Sequence, residues 1–200
     1  EAQIAERRFH KDSKEVAIEK YKDSYRQYFE WLGIDPNLDK KYVIEIGCAD
    51  VPALIFCTNY NHSIIIEPMP SSVLEELIDD LPICLYAEPV EDLVLTGVSE
   101  DKKADELWLF NVLQHVIDIE AFVDKCKSWS KVIRFFEPVD QPISDCHPHA
   151  PTQADFKRWF GDSAKLYEGN PNAVNFHTTI LLSGCDICRV VICRRIKMPN

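Results

Sequence analysis

Apolar residues recur along this chain with two different periods, and the alternation between them predicts its architecture. From Lys11 to Leu32, the residues Ile18, Tyr21, Tyr25, Tyr28, Phe29 and Leu32 follow at three- and four-residue steps. That spacing gathers them on one face of a helix with charges opposite. Gly33 and the Asp35-Pro36-Asn37 turn close it. The pattern then changes. Tyr42 to Ile46 is a short apolar run ending at Gly47, the form of a buried strand bounded by a turn. Val51 to Asn59 predicts a short helix, with Asp50 as its N-cap and Pro52 in its first turn. Ser63–Ile66 is a second strand and closes on Glu67-Pro68.

The same alternation continues. A helix over Ser71–Leu81 precedes a strand over Ile83–Tyr86, closed by Ala87-Glu88-Pro89. A polar connection runs from Val90 to Ala104. A strand over Glu106–Phe110 ends at Asn111, and a helix over Asp118–Trp129 leads to a strand over Lys131–Phe136 that ends at Glu137-Pro138. Residues 139–152 are an irregular proline- and histidine-bearing loop, of the long kind that often serves function. A short helix over Gln153–Phe160 follows, and the β-branched runs Phe176–Leu182 and Ile187–Ile192 predict a terminal strand couple across Ser183-Gly184. Strands alternating with helices predict an α/β fold, a three-layer α/β/α Rossmann-like sandwich. Its sheet is expected to be mostly parallel and seven-stranded, with one antiparallel strand near the C-terminal edge. Residues 1–40 are expected to form a helical cap or lid, and 41–200 the main domain, as one compact unit.

Charge narrows the function classes. Twenty-two basic residues against 33 acidic give a net charge of −11, and the only basic concentration is Arg189, Arg194, Arg195 and Lys197. An acidic surface repels phosphate backbones, so nucleic acid is not an expected partner. No apolar run is long enough to cross a bilayer and no leader pattern is visible, so no membrane partner is expected. Of eight cysteines, Cys48, Cys57, Cys84 and Cys126 lie in apolar segments, where a thiol acts as a small hydrophobe. Cys185 and Cys188 have C-x-x-C spacing with Cys193 nearby, but a zinc site needs a second pair, for which only Cys146 and His147 offer themselves. A reduced hairpin without metal is the expectation, and with it a cytoplasmic compartment.

In a sheet of this kind ligands bind beyond the carboxyl ends of the strands, where Gly47, Glu67, Ala87-Glu88, Asn111 and Glu137 collect. A dinucleotide turn needs glycine at its first, third and sixth positions, and here these are Gly47, Ala49 and Pro52. The fingerprint therefore fails twice, and Pro52 removes an N–H that a pyrophosphate would use.

Taken together these segments resemble the class I S-adenosylmethionine-dependent methyltransferases. The resemblance rests on Glu45-Ile46-Gly47-Cys48-Ala49, similar to an acid-x-Gly-x-Gly turn, and on Glu67 twenty residues after Gly47. It extends through Ala87–Leu93, Leu109–Val116 and the terminal strand pair, covering roughly Tyr42 to Ile196. It implies S-adenosylmethionine as cofactor and S-adenosylhomocysteine as product. It also implies that Glu45, Gly47, Cys48 and Ala49 surround the methionine part and that Glu67 holds the ribose. Pro68 and Met69 would flank the adenine and the Ala87–Val90 segment, Ala87 and Glu88 foremost, would edge it, with Asn111 and Val112 along the cofactor. His115, His147 and His149 fall at carboxyl-end loops and are the candidate bases, whereas His177, His10 and His62 are expected to be structural. The expected acceptor is a small molecule or sugar-like compound methylated at oxygen or nitrogen. The alternative is a non-catalytic relative that binds the cofactor or a partner.

Overall fold

The computed structural model describes residues 14–99, 101–137, 143–144, 147–160, 178–183 and 190–192. The start of the first helix, His10, Asp140, Asp145, Cys146, His177, Cys185, Cys188, Cys193 and the basic tail lie outside the described residues.

Five parallel strands form the centre of the molecule: β1 Val43–Ile46, β2 Ser63–Ile66, β3 Ile83–Tyr86, β4 Glu106–Phe110 and β5 Val132–Phe136. Their order is β3-β2-β1-β4-β5, so the chain reverses direction across the sheet between β1 and β4. Beyond β5, Thr178–Ser183 (β6) pairs antiparallel with it, from Val132 opposite Ser183 to Arg134 opposite Leu181. Val190–Ile192 (β7) pairs antiparallel with β6.

Side-chain alternation along the strands divides the core into two layers. Ile44, Ile46, Leu107, Leu109, Ile133 and Phe135 face one side. There they meet Phe122, Val123 and Cys126 of α3 (Ile119–Trp129) and Phe156, Trp159 and Phe160 of α4 (Gln153–Phe160). Val43, Ile65, Trp108, Phe110 and Phe136 face the other, against α1 (Lys14–Leu32) and Leu74 and Ile78 of α2 (Ser72–Ile78). The tyrosine stripe of α1 is a packing stripe. Tyr25 lies 5.9 Å from Phe110 and Tyr28 3.6 Å from Phe136, ring centre to ring centre, and the Tyr25 hydroxyl donates to the Val51 carbonyl at 2.8 Å. Helix starts follow the sequence closely. Ser71 caps α2 by accepting the Leu74 N–H, and Asp118 caps α3 by accepting that of Ala121.

The crossover from β1 to β2 departs from expectation. No α-helix spans 51–59; the segment makes only the 3-10 turn Ala53–Phe56, and Asp50 does not cap it. Three causes act together. Pro52 is extended, with φ −75° and ψ 145°. The Glu45 carboxylate accepts the Ala53 N–H at 2.7 Å and the Leu54 N–H at 3.0 Å, taking donors that a helix would leave for an N-cap. The chain is then drawn sideways, because Thr58 donates to Pro36 and Leu38 donates back to Thr58. The face that a crossover helix would cover is covered by α1.

Candidate functional site

Three acids at the carboxyl edge organise backbone: Glu45 near the end of β1, Glu67 just after β2 and Glu137 just after β5. Beyond β1, Gly47 has φ +70° and Ala49 φ +53°, so an alanine holds a left-handed conformation that glycine adopts more readily. Glu67 stabilises that turn from the end of β2: one carboxylate oxygen accepts the Ala49 N–H at 3.0 Å and the other the Met69 N–H at 3.2 Å. After β4, Asn111 also sits at positive φ, +62°, with its N–H donated to the Phe136 carbonyl at 2.8 Å. Asparagine tolerates this region better than most residues. Fully buried Glu137, one residue past β5, then accepts the Val112 N–H at 2.8 Å and the Leu113 N–H at 3.0 Å.

Glu45 and Glu137 have no cationic partner among the described residues. Burial, opposed by the two N–H bonds each accepts, pushes Glu45 up to about 7 and Glu137 up to about 8. A carboxyl raised in this way favours the fold most where it is protonated. Its contribution is complete below the unfolded carboxyl range and is lost as pH rises through the folded value. Urea midpoints should therefore fall between about pH 5.5 and pH 8.5, by an amount on the order of a few kcal/mol in unfolding free energy. A midpoint that is flat or rising across that interval would contradict the protonation of these two acids.

Between the turn after β1 and the loop after β4 lies a cavity of about 420 Å³. Gly47, Ala49, Glu67, Pro68, Met69, Asn111, Val112 and His115, all expected from the sequence, line it together. Other expected residues do not. Glu45 is turned to the 3-10 turn, and Cys48 is buried in the layer beneath α1. Ala87 and Glu88 are exposed outside the cavity; of the expected Ala87–Val90 segment Pro89 and Val90 line it, joined by Glu91. His149 is half-buried and does not line the cavity. His147 does not line it either, but its ring stands edge-on to that of His115, centre to centre 4.9 Å. No residue of α1 lines the cavity.

Asp50, Ile117 and Phe122 were missed. Asp50 was expected as an N-cap, and Phe122 is a core residue whose place on the inward face of α3 carries it to the cavity as well. Among the described residues the lining includes the acids Asp50, Glu67 and Glu91 and no lysine or arginine. Its apolar part comes from Met69, Val90, Val112, Val116 and Phe122. The described residues include no group of three or more side chains suited to hold a metal ion, and no helix among them is long and apolar enough to cross a membrane. Cys48, Cys57, Cys84 and Cys126 are free thiols.

Among solved structures, the chain is similar to YcgJ of Bacillus subtilis, with a TM-score of 0.57 at 9% identity over 68% of this chain and 66% of that one. It is similar to the StiE O-MT, residues 961–1257, with a TM-score of 0.55 at 13% identity over 81% of this chain and 58% of that one. Coclaurine N-methyltransferase, solved with N-methylheliamine and S-adenosylhomocysteine, gives 0.50 at 14% identity over 70% of this chain and 48% of that one. The fold is that of the class I methyltransferases. No family model matches the sequence, and no curated protein matches it. The likeness is therefore one of fold alone. The chain spans about half of coclaurine N-methyltransferase and about two thirds of YcgJ.

Proposed function

We propose that the chain binds S-adenosylmethionine in this cavity and transfers its methyl group to a small-molecule or sugar-like acceptor, at oxygen or nitrogen. The carrying observation is the charge of the lining: among the described residues it holds three acids, with no lysine or arginine, around an apolar floor. Such a site favours a cationic sulfonium and disfavours a pyrophosphate, which seeks N–H donors and basic side chains. The residues fit the cofactor part by part. Glu67 retains lone pairs for the ribose hydroxyls while fixed by two N–H groups. Met69 and Val90 offer soft and aliphatic walls for a base. Asn111, Val112 and the turn at Gly47 and Ala49 would enclose the methionine part. On this reading β6 and β7 complete a seven-stranded sheet, and the first forty residues are its capping segment.

The cofactor, when bound, supplies an electrophilic methyl group, and the chain's own task is to align the acceptor and accept its proton. His115 is the base best situated for a hydroxyl acceptor. Its Nε2 lies 3.2 Å from the Gln114 side-chain amide, and the buried Gln114 Oε1 has no other partner. Turning that amide so that Oε1 accepts would satisfy the oxygen and fix the proton on Nε2. The imidazole would take the hydroxyl proton of the acceptor as it is methylated.

Calorimetry with S-adenosylhomocysteine and with NAD tests the reading: heat is expected with the first and none with the second. Absence of heat with S-adenosylhomocysteine would refute the methyltransferase reading. Binding without turnover on any acceptor would favour the non-catalytic alternative, which the strained Ala49 turn keeps in view. With an acceptor in hand, His115→Ala should lower turnover by about 10²–10⁴-fold, and unchanged turnover would remove the histidine from the mechanism.

A further inference from the structure

One wall of the cavity has no regular secondary structure, and a single lysine holds it. Residues Pro89, Val90 and Glu91 line the cavity from the long connection after β3. Lys125 of α3, 32 to 35 positions further along, directs its ammonium at three carbonyl oxygens of that connection: Val90 at 2.8 Å, Glu91 at 2.5 Å and Leu93 at 3.2 Å. An ammonium has three N–H donors and no acceptor, so these carbonyls satisfy it completely. Without the charge between them, three carbonyl dipoles would converge on one point and repel. The clamped segment in turn holds the facing loop, because the Glu91 carboxylate accepts the Ile117 N–H at 2.9 Å, and Ile117 and Val116 line the cavity beside His115. Phe122, three residues before Lys125 on the same helix, also lines it. One rigid helix therefore fixes the positions of three lining segments.

We propose that Lys125 is a positioning residue for the bound cofactor: its ammonium clamps residues 90–93 and, through Glu91, the loop at Ile117 into a binding-ready wall. The inference rests on the methyltransferase reading of the cavity. In sequence Lys125 is one more polar residue of an amphipathic helix, yet among the described residues its ammonium bonds no acid; it bonds three main-chain carbonyls and stands 6.0 Å from the centre of the Trp129 ring. Charge-assisted bonds to main-chain carbonyls are stronger than neutral ones, and here they order a connection that would otherwise lose entropy when a ligand binds.

The test compares the wild type with Lys125→Met, which keeps the apolar stem and loses the charge, by hydrogen–deuterium exchange and by calorimetry with S-adenosylhomocysteine. The amides of Asp92, Leu93 and Ile117, bonded to Pro89, Val90 and Glu91, are the reporters. They should exchange at least about tenfold faster in the variant while those of β1 and β4 are unchanged, and affinity should fall at least about tenfold. Unchanged exchange at the three reporters overturns the clamp. Faster exchange with affinity within about twofold of the wild type overturns the positioning role, leaving Lys125 a merely structural contact. If the wild type itself gives no heat, the methyltransferase reading fails while the exchange arm still decides the clamp. Should Lys125→Met not fold, Lys125→Gln, which keeps two donors without charge, is read by the same criteria.

Discussion

Arg134→Ala is expected to lower unfolding free energy by about 3–5 kcal/mol, the range for removing one partner of a buried ion pair. Its partner Glu106 is buried at the start of β4 and accepts from Arg134 through both Nε and Nη2, from Lys41 at 2.8 Å and from the Trp108 indole at 2.9 Å. Burial alone would raise this carboxyl, but the Arg134 bonds, with Lys41 and Trp108, outweigh it and bring Glu106 down to about 2. The group thus contributes stability above the unfolded carboxyl range and loses it as pH falls through its folded value. Its slope is opposite to that of Glu45 and Glu137. Without the guanidinium, only half-exposed Lys41 remains as a countercharge. The same substitution frees the Leu32 carbonyl at the end of α1, which Arg134 Nη1 satisfies at 2.6 Å. Urea unfolding measures the loss. A cost under about 1 kcal/mol would mean that the pair behaves as a surface one.

Gly47→Ala is expected to cost about 2–4 kcal/mol and to abolish S-adenosylhomocysteine binding. A methyl group there would stand 2.7 Å from Val112 Cγ2 and 3.3 Å from Cγ1, on a backbone already at φ +70°. Valine cannot swing away easily, since its branched side chain is restricted at χ1 and its N–H is held by Glu137. The strain therefore passes to the loop carrying Asn111 and His115. Gly97→Ala is the matched control: nothing lies within 4 Å of the added carbon, and a change under about 0.5 kcal/mol is expected. Equal effects at the two glycines, read by thermal unfolding, would refute the steric argument.

The strands were legible because Val43–Ile46, Ser63–Ile66 and Glu106–Phe110 are short apolar runs closed by turn residues, and burial on both faces demands such runs. The helix starts at Ser71 and Asp118 were legible because the residues that open a helix act through local chemistry. The segment after Asp50 was misread for the complementary reason. Its apolar residues suit a helix, but Glu45, eight residues earlier than Ala53, captures its first donors. Gly47, Glu67 and Asn111 were found because strand ends locate the cavity. Of the expected Ala87–Val90 segment only its second half lines the cavity, continued by Glu91, because the connection has no periodicity to say which residues turn inward. The roles of Glu137 and Lys125 depend on backbone atoms 24 to 35 residues away, for which a sequence offers no local sign.

The bond from Arg134 to the Leu32 carbonyl spans 102 positions. It closes the layer in which α1 stands where a crossover helix would otherwise lie. That arrangement has a kinetic side. An inserted crossover helix could dock as soon as β1 and β2 paired, by closing a short loop. Here the face of Trp108, Phe110 and Phe136 gains its cover only when the start of the described chain meets strands made far later. Contacts of such long range slow folding, because chain entropy must be lost before burial compensates for it. Until that closure an aromatic sheet face stays open to other chains, so the aggregation risk of this protein is concentrated in the interval before α1 docks.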